Sequence, residues 1–264
     1  MRWTREHSLI ALNLYCKLPF GSFDRNNPIV REVAAKMNRT PNSLAMKLGN
    51  LASLDPVQRA RGIRGLSGAS VQDREMWREF QDGFATLGPE SERILHNLFT
   101  NDEEMEIDLL ARDGVRVERV VVRTLPSGPT EVVATVISRR GQQFFRQSVL
   151  NAYGVRCCIS GIQVPQLLVA SHIKPWRDDP NERLNPRNGL CLSSLHDAAF
   201  DGGLMTLDER SRVVLSGRLR GFLPQEALRA NFLRYEGESI RIPEKLAEPD
   251  EAFLAFHREH VFRN

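Results

Sequence analysis

Residues 166–201 constrain the fold of this chain most. QLLVASHI is a β-patterned run that carries His172 near its end and is stopped by Pro175. A polar loop of Asp, Asn and Arg follows, then a second short apolar run, GLCL. Ser193 or Ser194 then stands where a helix cap belongs, ahead of His196, Ala199 and Phe200. The predicted order is strand, loop, strand, helix. Taken singly, none of its polar residues implies chemistry. A lone histidine on an apolar strand is more often a hydrogen-bonded core residue, and Asn188-Gly189 alone is a turn signal.

The preceding stretch, GQQFFRQSVLNAYGVRCCISG, spaces Phe144, Phe145, Val149 and Tyr153 about one helical turn apart and reads as a short helix. Further upstream, VRVERVVVRTL and TEVVATVIS are rich in β-branched residues and are joined by PSGP, which predicts a two-stranded hairpin over 115–137. The acidic run NDEEMEIDLLARDG before it reads as a solvated linker.

The first 100 residues carry a helical period instead. Thr4 can cap a helix with Leu9, Leu12 and Tyr15 on its apolar face. Asn27 and Pro28 form an N-cap and first-turn pair, Asn38 suits a left-handed helix end, and Thr40 and Pro41 start a second helix with Leu44, Leu48 and Leu51 on its stripe. Two short helices joined by a tight turn predict a helix-turn-helix. Its outward positions would be Asn42, Ser43, Met46, Lys47 and Asn50, residue types suited to base edges and phosphates. A plain helical hairpin with a solvated polar face is the alternative. Further helices are predicted over 73–84 and 91–99.

Composition narrows the class. With 41% apolar and 26% charged residues the chain has the balance of an ordinary globular protein. No apolar run approaches the roughly 20 residues of a membrane span, and the N-terminus lacks a signal-peptide pattern, so a cytoplasmic protein is expected. Four cysteines are too few for a disulfide scaffold at this length. A net charge of +3 permits a nucleic-acid partner without requiring one.

The blocks RCCISG, ASHIKPW, NGLCL and HDAAFDGG, in that order, resemble the HNH endonuclease family, and most closely its restriction-endonuclease-like members. The resemblance covers roughly residues 141–215. With the helical domain read over 1–100 and the linker and hairpin over 101–140, it implies an α+β chain whose ββα-metal nuclease domain covers 141–264. It also implies hydrolysis of DNA phosphodiester bonds with a divalent metal, Mg²⁺ or Mn²⁺ first and Zn²⁺ or Ni²⁺ next. His172 would be the general base, an imidazole being able to accept a proton near neutral pH. Asn188 would orient the loop or bind metal, and His196, Asn188 and Asp201 would form the metal set, with Asp197 pointing elsewhere. Lys174, Arg177 and Arg187 would meet phosphates beside the site. Ser171 stands where many HNH enzymes have an acidic residue or a histidine. Cys157, Cys158 and Cys191 are too few for a four-cysteine zinc site and read as core thiols.

The implied function is restriction or defence, including cleavage of DNA with modified bases, on double-stranded DNA and by a symmetric dimer, since one site cuts one strand. Two rivals stand beside it: a DNA-binding regulator with an inactive HNH fold, and a mobile-element endonuclease.

Overall fold

The structure is a computed structural model. It describes the chain apart from residues 1, 64, 103–104, 111–112, 120–128, 176–177, 180, 245 and 247, and of residues 110, 119 and 129–140 it describes the backbone alone. The chain is α+β and forms two compact units, Met1–Gln147 and Ser148–Asn264. Among the described residues no helix is long and apolar enough to cross a membrane.

The N-terminal unit holds α1 (Arg5–Lys17), α2 (Pro28–Lys36), α3 (Pro41–Leu54), α4 (Pro56–Ala60), α5 (Val71–Asp82) and α6 (Phe84–Phe99). Thr4 caps α1 by accepting from His7 N. From Ser8 to Lys17 every residue of α1 is buried, because α3, α5 and α6 all pack on it. The apolar stripe read from the sequence is therefore too narrow for a helix enclosed all round. Asn27 accepts from the Ile29 and Val30 amides at 2.9 and 3.2 Å, and Thr40 from Ser43 N at 3.2 Å. Asn38 turns the chain between α2 and α3 at φ +53°, the left-handed conformation that ends a helix. The helix expected to begin at Ser91 begins at Phe84 instead, directly after Gly83 closes α5.

The hairpin expectation is corrected. The acidic run supplies β1 (Met105–Leu110), which pairs antiparallel with β2 (Gly114–Arg119). TEVVATVIS is not a strand; it lies in α7 (Pro129–Ala152), and residues 120–128 are outside the described set. Strand propensity is a weak, context-dependent preference, and here the β-branched run is continuous with the helical period of Phe144, Phe145 and Val149, all buried.

In the C-terminal unit β3 (Leu168–His172) pairs antiparallel with β4 (Gly189–Ser193), with His172 opposite Gly189 and Leu168 opposite Ser193. The short helix α8 (Ser194–Asp201) follows at once, capped by Ser193, and packs on both strands. Then come β5 (Met205–Leu207) paired with β6 (Val213–Leu215), α9 (Gly217–Arg220), α10 (Glu226–Asn231) and α11 (Glu251–Phe256). The turn His257–Val261 after α11 backs α8. The His257 ring stacks on Phe200 at 3.7 Å, donates from Nε2 to Phe200 O at 3.1 Å, and accepts at Nδ1 from Thr206 Oγ1 at 2.9 Å. Gly203, at φ +68°, is required here, since a Cβ would lie 2.1 Å from Val261 O. Of this C-terminal stretch Leu254 and His257 are buried, whereas Phe253, Phe256 and Phe262 are half-buried.

Candidate active site

His172 ends β3 where the strand opens into the polar loop. Its Nε2 lies 2.9 Å from Arg183 O. A carbonyl only accepts, so Nε2 carries the proton and Nδ1 is the basic nitrogen. Burial holds the imidazole below its ordinary pKa, with the Arg183 backbone bond and the Asp197 charge working in the opposite direction. At neutral pH the ring is therefore uncharged and able to accept a proton.

The loop that shapes this corner is pinned by Asn188, which is 1% exposed. Its Oδ1 accepts from Lys174 N at 2.8 Å, and its Nδ2 donates to Lys174 O at 3.2 Å and Glu182 O at 3.3 Å. Its backbone O accepts from Ile173 N at 3.0 Å, which extends the β3–β4 pairing by one step. Of the two roles open to this amide, orienting the loop fits and ligating metal does not: the side chain is engaged with backbone groups that would otherwise be left unpaired in an irregular loop.

His196 is corrected more sharply. It is 2% exposed, its Nε2 donates to Asn231 O at 2.8 Å, and its Nδ1 faces Ser193 Oγ at 2.8 Å and Cys157 Sγ at 3.7 Å. The ring stands edge-on to Phe232 and Tyr235, with centroids at 5.4 and 5.8 Å. Both nitrogens are engaged inside the fold, so the ring offers no lone pair to a cation. Helix geometry explains the error. Five residues advance about 140° round a helix beyond a full turn, so His196 and Asp201 face different ways. Four residues come back to within about 40°, so Asp197 and Asp201 share a face.

The sequence reading kept Asp201 and set Asp197 aside, although their i,i+4 spacing signals a shared face. Asp197 lies close enough to His172 to favour its charged form, and close enough to Asp201 to disfavour that group's ionisation. Although Asp201 is exposed as a residue, protein crowds its carboxyl. Burial first, and then the Asp197 charge, push its pKa up to about 6. Two carboxylates one turn apart are the donor type that a hard divalent cation takes, and their mutual repulsion is what such a cation would relieve. The metal set His196, Asn188 and Asp201 thus does not fit the geometry, and the residue that shares a helix face with Asp201 is Asp197.

The four cysteines are buried thiols outside any disulfide. The turn after Cys157 wraps its sulfur: Ser160 N donates to Sγ at 3.4 Å, and Gly161 N bonds Cys157 O at 3.0 Å. Burial pushes this thiol up, but its hydrogen bonds with His196 and Ser160 outweigh it and bring the group down to about 6. Burial pushes Cys158 well up. Ser171 is buried and, among the described residues, its hydroxyl has no hydrogen-bond partner.

The expected DNA contacts separate into groups. Asn42 is exposed and Ser43 half-buried on α3, beside a cleft of about 370 Å³ that Trp3 and Met46 also line. Lys47 does not face outward. It is 5% exposed, bonded to Asp73, and covered by Trp3 with 4.3 Å from Nζ to the ring centroid, so it cannot reach a phosphate without breaking a buried pair. Asn50 is half-buried and donates to Gly68 O at 3.3 Å. At the nuclease end, Lys174 pairs with Asp179 and Arg187 with Asp250, at 2.9 and 2.8 Å. Arg177 lies outside the described residues.

A two-stranded antiparallel hairpin closed by a helix, with a histidine at the strand end and carboxylates on the helix, is a ββα finger of the nuclease type. Residues 157–208 match the family model described as HNH endonuclease, and that segment is assigned to the HNH endonuclease family. No curated protein matches the chain.

Proposed function

We propose that this chain is a DNA endonuclease whose general base is His172 and whose acidic partners are Asp197 and Asp201. The observation that carries the reading is the placement of His172 at the mouth of the β3–β4 loop, in the field of Asp197, within the segment that matches the HNH family.

Hydrolysis needs water driven onto phosphorus and charge stabilised on the departing oxygen. In this reading Nδ1 of His172 takes the proton from water, while the bond from Nε2 to Arg183 O fixes the tautomer and steadies the ring. Asn188 holds the loop so that the Arg183 carbonyl stays within reach of the ring. HNH nucleases generally use a divalent metal ion, which supplies positive charge against the charge that builds on the phosphate. Asp197 and Asp201 are the residues that would hold it. Restriction of foreign DNA, with modified DNA among its targets, is the role that the motif order supports best. Asn42 and Ser43 of α3 would contribute to gripping the duplex, and a symmetric dimer would cut both strands. Four cysteines outside any disulfide fit a reducing, cytoplasmic setting.

The test is plasmid nicking with Mg²⁺ or Mn²⁺. His172→Ala should lower cutting by about 10²–10⁴-fold, the range for losing a general base. Asp197→Asn and Asp201→Asn should raise the metal concentration needed for half-maximal cutting, whereas His196→Gln should leave that concentration unchanged. Equal cutting by wild type and His172→Ala removes the base assignment, and duplex binding without any cutting favours a regulatory role instead.

A further inference from the structure

The residues after the matched segment carry an exposed aromatic and four exposed arginines. Ser216 caps α9 by accepting from Leu219 N at 3.2 Å, and Leu219, 7% exposed, anchors that short helix. The chain then turns tightly, with Phe222 N bonded to Leu219 O at 3.1 Å and Leu223 N to Arg220 O at 3.0 Å. The turn leaves Phe222 62% exposed. A lone exposed apolar residue is ordinary on a protein surface. Here, however, Arg218, Arg220, Arg229 and Arg234 are exposed on the same segment. Arg220 is paired with Glu236, and Arg234 lies over the Tyr235 ring at 5.3 Å. Among the described residues Arg218 and Arg229 have no acidic partner.

The root of this segment is fixed to the finger. Asn231 O accepts from His196 Nε2 at 2.8 Å, Phe232 is buried, and Tyr235 borders the same ring. His196 directly precedes Asp197, so a ligand held on the arm is held in a fixed relation to the acidic face of α8.

We propose that residues 217–236 form a duplex-binding arm, with Phe222 entering a base-pair step as a wedge and Arg218, Arg229 and Arg234 contacting the flanking phosphates. The occupant is duplex DNA because guanidiniums without carboxylate partners complement a phosphate backbone, while an exposed ring at a tight turn has the shape that unstacks a step. The proposal rests on the endonuclease reading and adds the surface by which the finger holds its substrate. In this arrangement His196 is a positioning residue: it acts through Asn231 and the aromatic pair, not on the reacting atoms.

The experiment uses the full chain without added divalent metal, so that binding is read apart from cutting. A short duplex labelled at both ends reports bending by energy transfer, and a salt titration reports phosphate contacts. Wild type should bend the duplex. Phe222→Ala should bind about tenfold more weakly, lose the bend, and keep the salt slope. Arg218→Ala and Arg234→Ala should each lower the slope by about 0.9 and keep the bend. Both sites are exposed, and unchanged melting of each variant confirms that its fold is intact. Cutting by wild type together with identical bending by Phe222→Ala overturns the wedge alone. A wild type that neither cuts with metal nor binds duplex overturns the endonuclease reading itself.

Discussion

The N-terminal unit buries charge as pairs between helices. Lys17 on α1 meets Glu92 on α6, whose carboxylate also accepts from Asn13 at 2.8 Å, and Lys47 on α3 meets Asp73 on α5 beneath Trp3. The C-terminal unit buries amides and imidazoles that bond to backbone: Asn188 to Lys174 and Glu182, His196 to Asn231, His257 to Phe200. The contrast follows from what each unit must satisfy. Helices satisfy most of their own backbone, so a polar side chain buried between them needs another side chain, whereas loops around a small finger leave carbonyls and amides that neutral side chains can pair.

If that contrast holds, the largest stability effect of a single substitution lies in the N-terminal unit. Lys17→Met removes one partner of a buried pair and leaves Glu92 uncompensated, a loss of about 3–5 kcal/mol. Lys17→Met with Glu92→Leu should recover most of it, because a buried pair replaced as a whole is often close to neutral. Urea unfolding of the two variants checks this. A single variant within about 1 kcal/mol of wild type would mean that Glu92 finds water or another donor, and that the two units do not differ as described.

The second effect belongs to the C-terminal unit and depends on pH. Burial lowers His257 to about 4, so the fold favours the neutral ring. The folded pKa lies below the unfolded one. The stability this gives is complete above the ordinary imidazole range and is lost as pH falls through that range toward 4, by roughly 3 kcal/mol in all. His257→Gln should therefore flatten the acid limb of thermal unfolding. An unchanged limb would place the acid sensitivity elsewhere.

The same contrast decides how much could be read from the sequence. The helices of the first unit were legible at their starts, because Asn27-Pro28 and Thr40-Pro41 signal caps through local chemistry alone. The strand–loop–strand–helix order of the finger was legible through its changes of period. What stayed hidden were the partners. A histidine on a short helix has the same letters around it whether its nitrogens face a cation or face Asn231 O and Ser193 Oγ, and only the return of the chain at 226–235, thirty residues on, decides between them. Lys47 was read as outward for the same reason, since Trp3 and Asp73 come from distant parts of the chain. TEVVATVIS was misread because β-branched residues carry a local preference that the continuity of a long helix overrides.

The smallest effect gives the finest test of the candidate site. The folded pKa of Asp201, about 6, lies above the ordinary carboxylate range, the opposite sense to His257. Its contribution to stability is present while the carboxyl is protonated and is lost as pH rises through about 6, so at pH 8 the fold carries two crowded negative charges on one face of α8. Asp201→Asn should therefore melt slightly higher than wild type at pH 8 and no higher at pH 4, where the native carboxyl is already neutral. Added Mn²⁺ should raise the melting temperature of wild type at pH 8 by relieving the same repulsion, and should raise that of Asp201→Asn less. His196→Gln should respond to Mn²⁺ as wild type does, from a lower starting temperature, because it loses bonds to Ser193, Cys157 and Asn231 rather than a ligand. If Asp201→Asn instead melts lower than wild type at pH 8, the carboxylate serves the fold, as the buried charges of the N-terminal unit do, and the acidic face of α8 is not the place where a cation would sit.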